Sequence, residues 1–393
     1  MNTKKIAYLL AFVLLFGVAF FARAADDNRY LIKTTSGVWK KYFGVRHSFD
    51  NGFTTDLSDF QIRFTKIFGI EIEPVKKLYV MPAELQKESR VLKTSARNQR
   101  ILPSSQVPWG VKMIYNNPVL ASAYGGEGVN IAVLDTGVLK THPDLKNRIK
   151  DCKDFSNPKS PLVDGKCDDR NGHGTHVAGI IAADGGDGLG IFGVAPEANL
   201  LVYQVCSANG SCWADDVAVA IRTAADNGAN ILNLSLGSDS PSLLVSNAVS
   251  YASDKNVLVV ASAGNDGAYT GSIDYPAANS QVVGVGALDS NKVVSDWSSR
   301  GINSQTKAYV SEDGDIEFAA PGVSVESTWK DGGYAILSGT SMAAPHISGL
   351  AAKLWQKGSL TPAADTRDIL HKLSADLLPL GDDDDSGWGV PTL

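Results

Sequence analysis

The sequence predicts an α/β fold, a mostly parallel central sheet with helices on both faces, preceded by a small α+β unit. Two observations carry the larger part of that expectation. Short β-branched runs at Val129–Leu134, Leu200–Val205, Asn230–Leu234, Val257–Ala261 and Val282–Val285 read as buried strands. Helical patterns at His176–Ala183, Ala214–Asn227, Pro241–Ser253 and Met342–Trp355 fall between or after them, and such alternation packs helices on a parallel sheet. A third observation sets the small unit apart. Residues 26–103 hold 14 Lys/Arg against 9 Asp/Glu, whereas residues 104–393 hold 19 against 33, and opposite charge favours docking of adjacent units.

From the N-terminus, Lys4 and Lys5 precede the apolar run Ile6–Phe21, which Ala22-Arg23-Ala24 closes with small residues. This is the three-part pattern of a secretory signal over 1–24, and the run is short for a membrane span. The next unit, 25–103, has strand-like pieces at Arg29–Thr34, Phe60–Phe68 and Lys77–Met81. Lys93–Val107, polar and containing Pro103, reads as an exposed join to the third unit, 104–393. Four cysteines, Cys152, Cys167, Cys206 and Cys212, fit two disulfides in an exported chain. Three pairings are open, and the order along the chain favours 152 with 167 and 206 with 212. Their spacing lacks the C-x₂₋₄-C pairs of structural zinc sites. Asp382–Asp385 reads as a solvated acidic loop, and a net charge of -6 argues against nucleic acid as the main partner.

Three segments suggest chemistry. Val133-Leu134-Asp135-Thr136-Gly137 ends a buried strand, Asn171-Gly172-His173-Gly174-Thr175-His176 begins a helix, and Gly339-Thr340-Ser341-Met342-Ala343-Ala344-Pro345 begins another. Singly, each has a bland reading: a turn carboxylate, a polar surface histidine, an N-cap serine. Together, in the order Asp135, His173, Ser341, they resemble the subtilisin-like serine peptidases, whose triad order differs from those of two other triad folds. The resemblance runs from about Val107 to Trp355.

The resemblance implies a subtilisin-like fold and a secreted serine endopeptidase that acts through an acyl-enzyme. Ser341 becomes the nucleophile, His173 the base, Asp135 the group that holds the imidazole, and Asn265 the side-chain donor to the oxyanion. Pro345 is expected in the first helical turn, where a missing N–H costs nothing. His176 is expected to pack or bond locally. Ser235, Leu236 and Gly237 form one wall of a peptide groove, with Asn209, Gly210 and Ser211 on the opposite edge, so that a substrate adds as a strand. Asp274 falls at the floor of the first side-chain pocket, where a carboxylate favours Lys or Arg before the cut, with Asp266 near the rim. Asp144, Asp187 and the carbonyls of Gly185, Leu189 and Ile191 match a structural calcium site, although Gln106 is one place from the family's glutamine. Residues 25–103 take the role of a propeptide that blocks the groove until removal by a cut between Arg100 and Val107. Asp168 and Asp169 end the Cys152–Cys167 loop close to the base. A monomer acting on proteins outside the cell is expected. An esterase would carry its serine in a G-x-S-x-G elbow, which Ser341 lacks.

Overall fold

The computed structural model describes residues 28–80, 84–86, 102–303, 311–377 and 379–393. The signal pattern and the part of the join over 93–101 lie outside them. The chain divides into two units, up to Val75 and from Lys76 onward.

In the first unit β1 (Arg29–Ile32) lies between β3 (Gly52–Asp56) and β4 (Ile72–Pro74), with β2 (Ser48–Phe49) beyond β3, all antiparallel. Two helices, α1 (Gly37–Phe43) and α2 (Asp59–Ile67), complete the unit. Ile32, Phe43, Phe53, Leu57 and Phe64 form its core. Phe60–Phe68, expected as a strand, is instead α2 and the residue that ends it. Ser58 Oγ accepts the Gln61 N–H at 3.3 Å and Gln61 Oε1 accepts the Ser58 N–H at 2.9 Å, a reciprocal cap. Phe60, Phe64 and Phe68 then recur every fourth residue and stack in sequence along one face. Aromatic richness suggested a strand, whereas the spacing is helical.

In the second unit the aliphatic runs build one eight-stranded sheet. Its strands are β7 (Asn130–Asp135), β8 (Ile149–Asp154), β9 (Val163–Asp164), β10 (Asn199–Gln204), β12 (Ile231–Leu234), β14 (Leu258–Ser262), β15 (Val282–Leu288) and β16 (Phe318–Pro321), in the order β16-β15-β14-β12-β7-β10-β8-β9. All neighbours are parallel except β8 and β9. Every residue of β12, β14 and β15 is buried, which requires cover on both faces. Helices α4 (His173–Ala182) and α7 (Thr340–Leu354) pack together, as do α5 (Ala214–Asp226) and α6 (Leu243–Asp254). Two of these begin earlier than the sequence predicts: α4 opens on His173 itself, and α7 opens one residue before Ser341.

Short elements frame the sheet. They are β5 (Lys77–Val80), β6 (Glu84–Gln86), β11 (Ser211–Trp213), β13 (Leu236–Gly237), β17 (Val325–Thr328), β18 (Tyr334–Ser338), β19 (Ser374–Ala375) and β20 (Val390–Pro391), with helices α3 (Trp109–Ile114) and α8 (Pro362–Lys372). Two disulfides are present, Cys152–Cys167 and Cys206–Cys212. The acidic run differs from expectation. Asp382 and Asp383 are buried, Asp383 Oδ1 accepts the N–H groups of Asp385 and Ser386, Asp384 Oδ1 accepts that of Asn303, and Asp385 pairs with Arg300. Carboxylates that satisfy turn amides fold inward, so this segment is no solvated loop. Among the described residues no helix is long and apolar enough to cross a membrane.

Candidate active site

The parallel strands deliver their carboxyl ends to one side of the sheet, and Asp135 is the last residue of β7. It is 1% exposed, and its two carboxylate oxygens each lie 2.9 Å from His173 Nδ1. The imidazole N–H at Nδ1 donates to them, so Nε2 is the basic nitrogen. Close approach of α4 to the strand end depends on Gly174, where a Cβ would lie 2.1 Å from Gly137 O. Burial works to lower the His173 pKa, yet the charge and hydrogen bond of Asp135, joined by the charge of Asp169, leave it raised.

Asp169 has a part that sequence alone left open. Its Oδ1 accepts from Asn171 N, Gly172 N and Thr136 Oγ1, and its Oδ2 accepts from Thr175 N and Thr175 Oγ1. One carboxylate therefore ties the entry of α4 to the turn after β7. Asp168 beside it is exposed. His176 faces inward, its Nε2 3.0 Å from the carbonyls of Val325 and Ala335, and burial pushes its pKa down to about 3. It packs in neutral form, as expected.

Ser341 lies in the first turn of α7, and its Oγ donates to Ser235 O at 3.3 Å rather than to His173. Among the described residues, His173 Nε2 is buried without a hydrogen-bond partner. Pro345 is the sixth residue of α7, beyond the first turn. Its missing N–H is the one that would have reached the carbonyl of Ser341, four residues back. Ser235 Oγ supplies the replacement, donating to Ser341 O at 3.0 Å. Ser235 Oγ in turn accepts from Asn233 Nδ2 at 3.0 Å, and Ser348 Oγ donates to Asn233 Oδ1 at 2.8 Å. Sequence reasoning missed Asn233 and Ser348. Pro345 was the available signal, because it leaves a buried carbonyl needing a donor from elsewhere.

Asn265 follows β14. Its Oδ1 accepts from Thr340 N and Thr340 Oγ1, each at 3.0 Å, which fixes the orientation of the amide. A Cβ on Gly339 would lie 3.5 Å from Asn265 Nδ2 and 3.8 Å from Ser341 N. The space that glycine leaves open thus borders the amide nitrogen of Asn265 and the backbone N–H of Ser341.

Beside this centre β5 lies antiparallel between β11 and β13. Tyr79 pairs with Ser211 on one side and Gly237 on the other, Val80 pairs with Leu236, and Val80 N donates to Gly210 O at 2.9 Å. Gly210, Ser211, Leu236 and Gly237 are therefore the residues that pair with this extended segment. The Cys206–Cys212 disulfide brackets one rim. Asp274 lies behind the other wall, 3% exposed, and its pKa is pushed up to about 7 by burial and by the charges of Asp266 and Asp239. Asp239 was not expected there.

The proposed calcium loop is gathered around Asp144. Asp144 Oδ2 accepts from Ile191 N at 2.9 Å and Tyr334 Oη at 2.7 Å. Gly186 and Gly190 crowd the other oxygen so closely that a Cβ would lie 2.4 and 2.0 Å from it. Gly185, Leu189, Ile191 and Asp187 lie on this same turn, with Gly185 N bonded to Ile191 O. Gln106 reaches the loop in spite of its shifted place, since its Nε2 donates to Gly188 O at 2.6 Å. A buried carboxylate cradled by glycine backbone is an oxygen-rich setting that fits a hard cation.

A buried Asp–His pair at a strand end and a serine in the first turn of a facing helix define a serine hydrolase centre on a parallel α/β sheet. The model of the subtilase family matches residues 126–389, and the chain belongs to that family. It begins later than the sequence resemblance and takes in the C-terminal tail. The chain is 44% identical over 374 residues to "Subtilisin" of Bacillus sp. (strain TA39), covering 90% of this chain and 87% of that protein. It is 41% identical over 254 residues to "Subtilisin Savinase" of Lederbergia lenta, covering 65% and 86%. Among solved structures, "S41 Psychrophilic Protease" is 49% identical at a TM-score of 0.71, covering 74% of this chain and 99% of that one. "Sphericase" stands at 48% with the same score and coverage. The protein is a serine endopeptidase.

Proposed function

We propose that this endopeptidase is exported, held in check by its own N-terminal segment, and cleaves proteins that bind as an added strand. The observation that carries this is β5, an extended segment of the chain itself lying antiparallel between both rims of the groove. Residues 1–24 direct export, residues 25–103 act as the propeptide, and the released peptidase begins between Arg100 and Val107. The mature enzyme works outside the cell as a monomer.

In the reaction Ser341 Oγ attacks the scissile carbonyl while His173 Nε2 takes its proton. Asp135 holds the imidazole in the required tautomer and balances the imidazolium. The tetrahedral oxyanion forms against Ser341 N–H and Asn265 Nδ2. His173 then returns the proton to the departing amine, which leaves the acyl group on Ser341. Water, deprotonated by His173, releases the acid and restores the serine. The Oγ–Nε2 hydrogen bond forms when substrate fills the groove and Ser341 Oγ turns from Ser235 O, since catalytic geometry is commonly completed only in the complex.

Asp144, Asp187 and the carbonyls of Gly185, Leu189 and Ile191 would hold calcium, which would supply a fixed positive charge that stiffens the loop and leaves the chemistry to other residues. Asp274 at the pocket floor favours Lys or Arg before the cut.

A serine-directed phosphonylating reagent, followed by peptide mapping, tests the nucleophile. Label on Ser341 is expected, together with loss of casein hydrolysis by about a millionfold in Ser341→Ala, a figure that comes from subtilisin itself. Label on another serine would overturn the assignment.

A further inference from the structure

Three carboxylates, Asp239, Asp266 and Asp274, each bring an oxygen within 4.8 Å of the others. They come from the turn after β13, from the residue after Asn265, and from the residue before the Tyr275-Pro276 bond. Asp274 is the member that needs explaining. It is 97% buried, and its carboxylate accepts no hydrogen bond and pairs with no cation among the described residues. Its backbone is pinned, with Asp274 N donating to Ala263 O at 2.7 Å, so it cannot turn away cheaply. On the inner side, a Cβ on Gly264 would lie 2.9 Å from Asp274 Oδ2, so the carboxylate fills a cradle of its own. The charges that bear on it are those of Asp266 and Asp239, both of its own sign. Partial burial and the charge of Asp239 likewise raise the pKa of Asp266.

We propose that these three residues form a divalent-cation site of the calcium class, and that its filling controls the preference of the first side-chain pocket. Calcium–oxygen bonds of about 2.3–2.6 Å let two ligands of one ion lie up to about 5 Å apart, so one ion can reach all three carboxylates. A dication leaves a net charge of one unit on the cluster, whereas a lysine or arginine side chain leaves two. The exposed positions of Asp239 and Asp266 give the ion a path from solvent and room to keep waters. The second half of the proposal rests on the reading of Asp274 as the pocket floor. With the ion bound, that floor loses its free negative charge and discriminates less between basic and apolar side chains. Without it, the basic preference is strong.

The ion is counted first, by equilibrium dialysis of calcium against the intact Ser341→Ala chain, which cannot digest itself. Asp239→Asn and Asp266→Asn, each in that background, are expected to bind one ion fewer per chain, with terbium luminescence showing the same loss. An unchanged count in both would overturn the site. Matched peptides with Arg or Leu before the cut are then assayed with the wild type across calcium levels at which thermal unfolding shows the chain folded. The Arg-to-Leu ratio of kcat/KM is expected to fall by about tenfold as calcium rises, and to stay flat in Asp239→Asn. Loss of an ion with a ratio indifferent to calcium would overturn the coupling and the placement of Asp274 at the floor, while leaving the chemistry of Ser341 intact. A ratio that still follows calcium in Asp239→Asn would assign the effect to the Asp144 loop and overturn control by the cluster.

Discussion

Helix α4 begins at His173 and α7 one residue before Ser341, and each has glycine at its N-cap, which offers no side-chain cap. They treat their orphan amides in opposite ways. At α4 the N–H groups of His173, Gly174 and Thr175 are all taken, by Asn171 Oδ1, Thr136 Oγ1 and Asp169 Oδ2. At α7 the Thr340 N–H goes to Asn265 and that of Met342 bends back to Gly339 O, while among the described residues the Ser341 N–H has no acceptor. A saturated start immobilises the histidine. An unsaturated one is a site for negative charge, with the helix dipole behind it. The same element thus serves as a clamp in one place and as an anion receptor in the other, according to whether a carboxylate has already filled it.

The sharpest way to break the comparison is at the open helix. Asn265→Ala is expected to lower kcat by about 100- to 1000-fold with little change in KM, a range taken from subtilisin. An unchanged kcat would mean that the charge develops elsewhere. Calcium removal acts on the clamped helix from its far end, since α4 runs directly into the loop that holds Asp184 to Ile191. At calcium a hundredfold above its Kd the expected loss is about 2.7 kcal/mol, read as a drop in Tm on chelation. A Tm that does not move would exclude a structural ion. Ser235→Ala strips the donor that stands in for the N–H missing at Pro345. Leaving the Ser341 carbonyl unsatisfied should cost about 1–3 kcal/mol by denaturant unfolding, and kcat should fall more than KM changes. The smallest effect is expected from Asp169→Asn. It replaces one of the two acceptor oxygens by an NH2 group, which cannot accept from the amides of the clamp, and it removes a charge that helps raise the His173 pKa. The base works when neutral, so the acid limb of kcat/KM should move to lower pH, which a purely structural role would not produce.

How much of this could be read beforehand depended on distance along the chain. Asp135, His173, Ser341 and Asn265 were proposed because each sits in a short block that resembles the family's, at or just after a strand end or at a helix start, and local pattern also places those elements. The rims were read from the family resemblance, and both disulfides followed from the order of the cysteines along the chain. Pro345 was misjudged because the helix begins at Thr340, and this shift carries the proline beyond the turn that tolerates it. Phe60–Phe68 was misjudged because composition was weighed above spacing. Asp382–Asp385 looked solvated because a run of charges gives no hint of the backbone amides that will meet it. The meeting of Asp239 with Asp266 and Asp274 depends on how two strand-end turns approach each other and leaves no local trace in the sequence. The relay from Ser348 to Ser235 depends on how α7 packs on β12, and Pro345 is its local sign.

The strand β5 has a bearing on the life of the enzyme before it ever cuts anything. A groove that binds extended chains is a pair of unpaired sheet edges, and exposed edges recruit one another as readily as they recruit substrate. While β5 is in place both edges are hydrogen-bonded, and the molecule offers no template to its neighbours at this point. The proposed removal of the N-terminal segment would take that strand away and open an adhesive surface at the moment activity appears. On that proposal activation and vulnerability to self-association are one event, and the nascent chain keeps these edges covered.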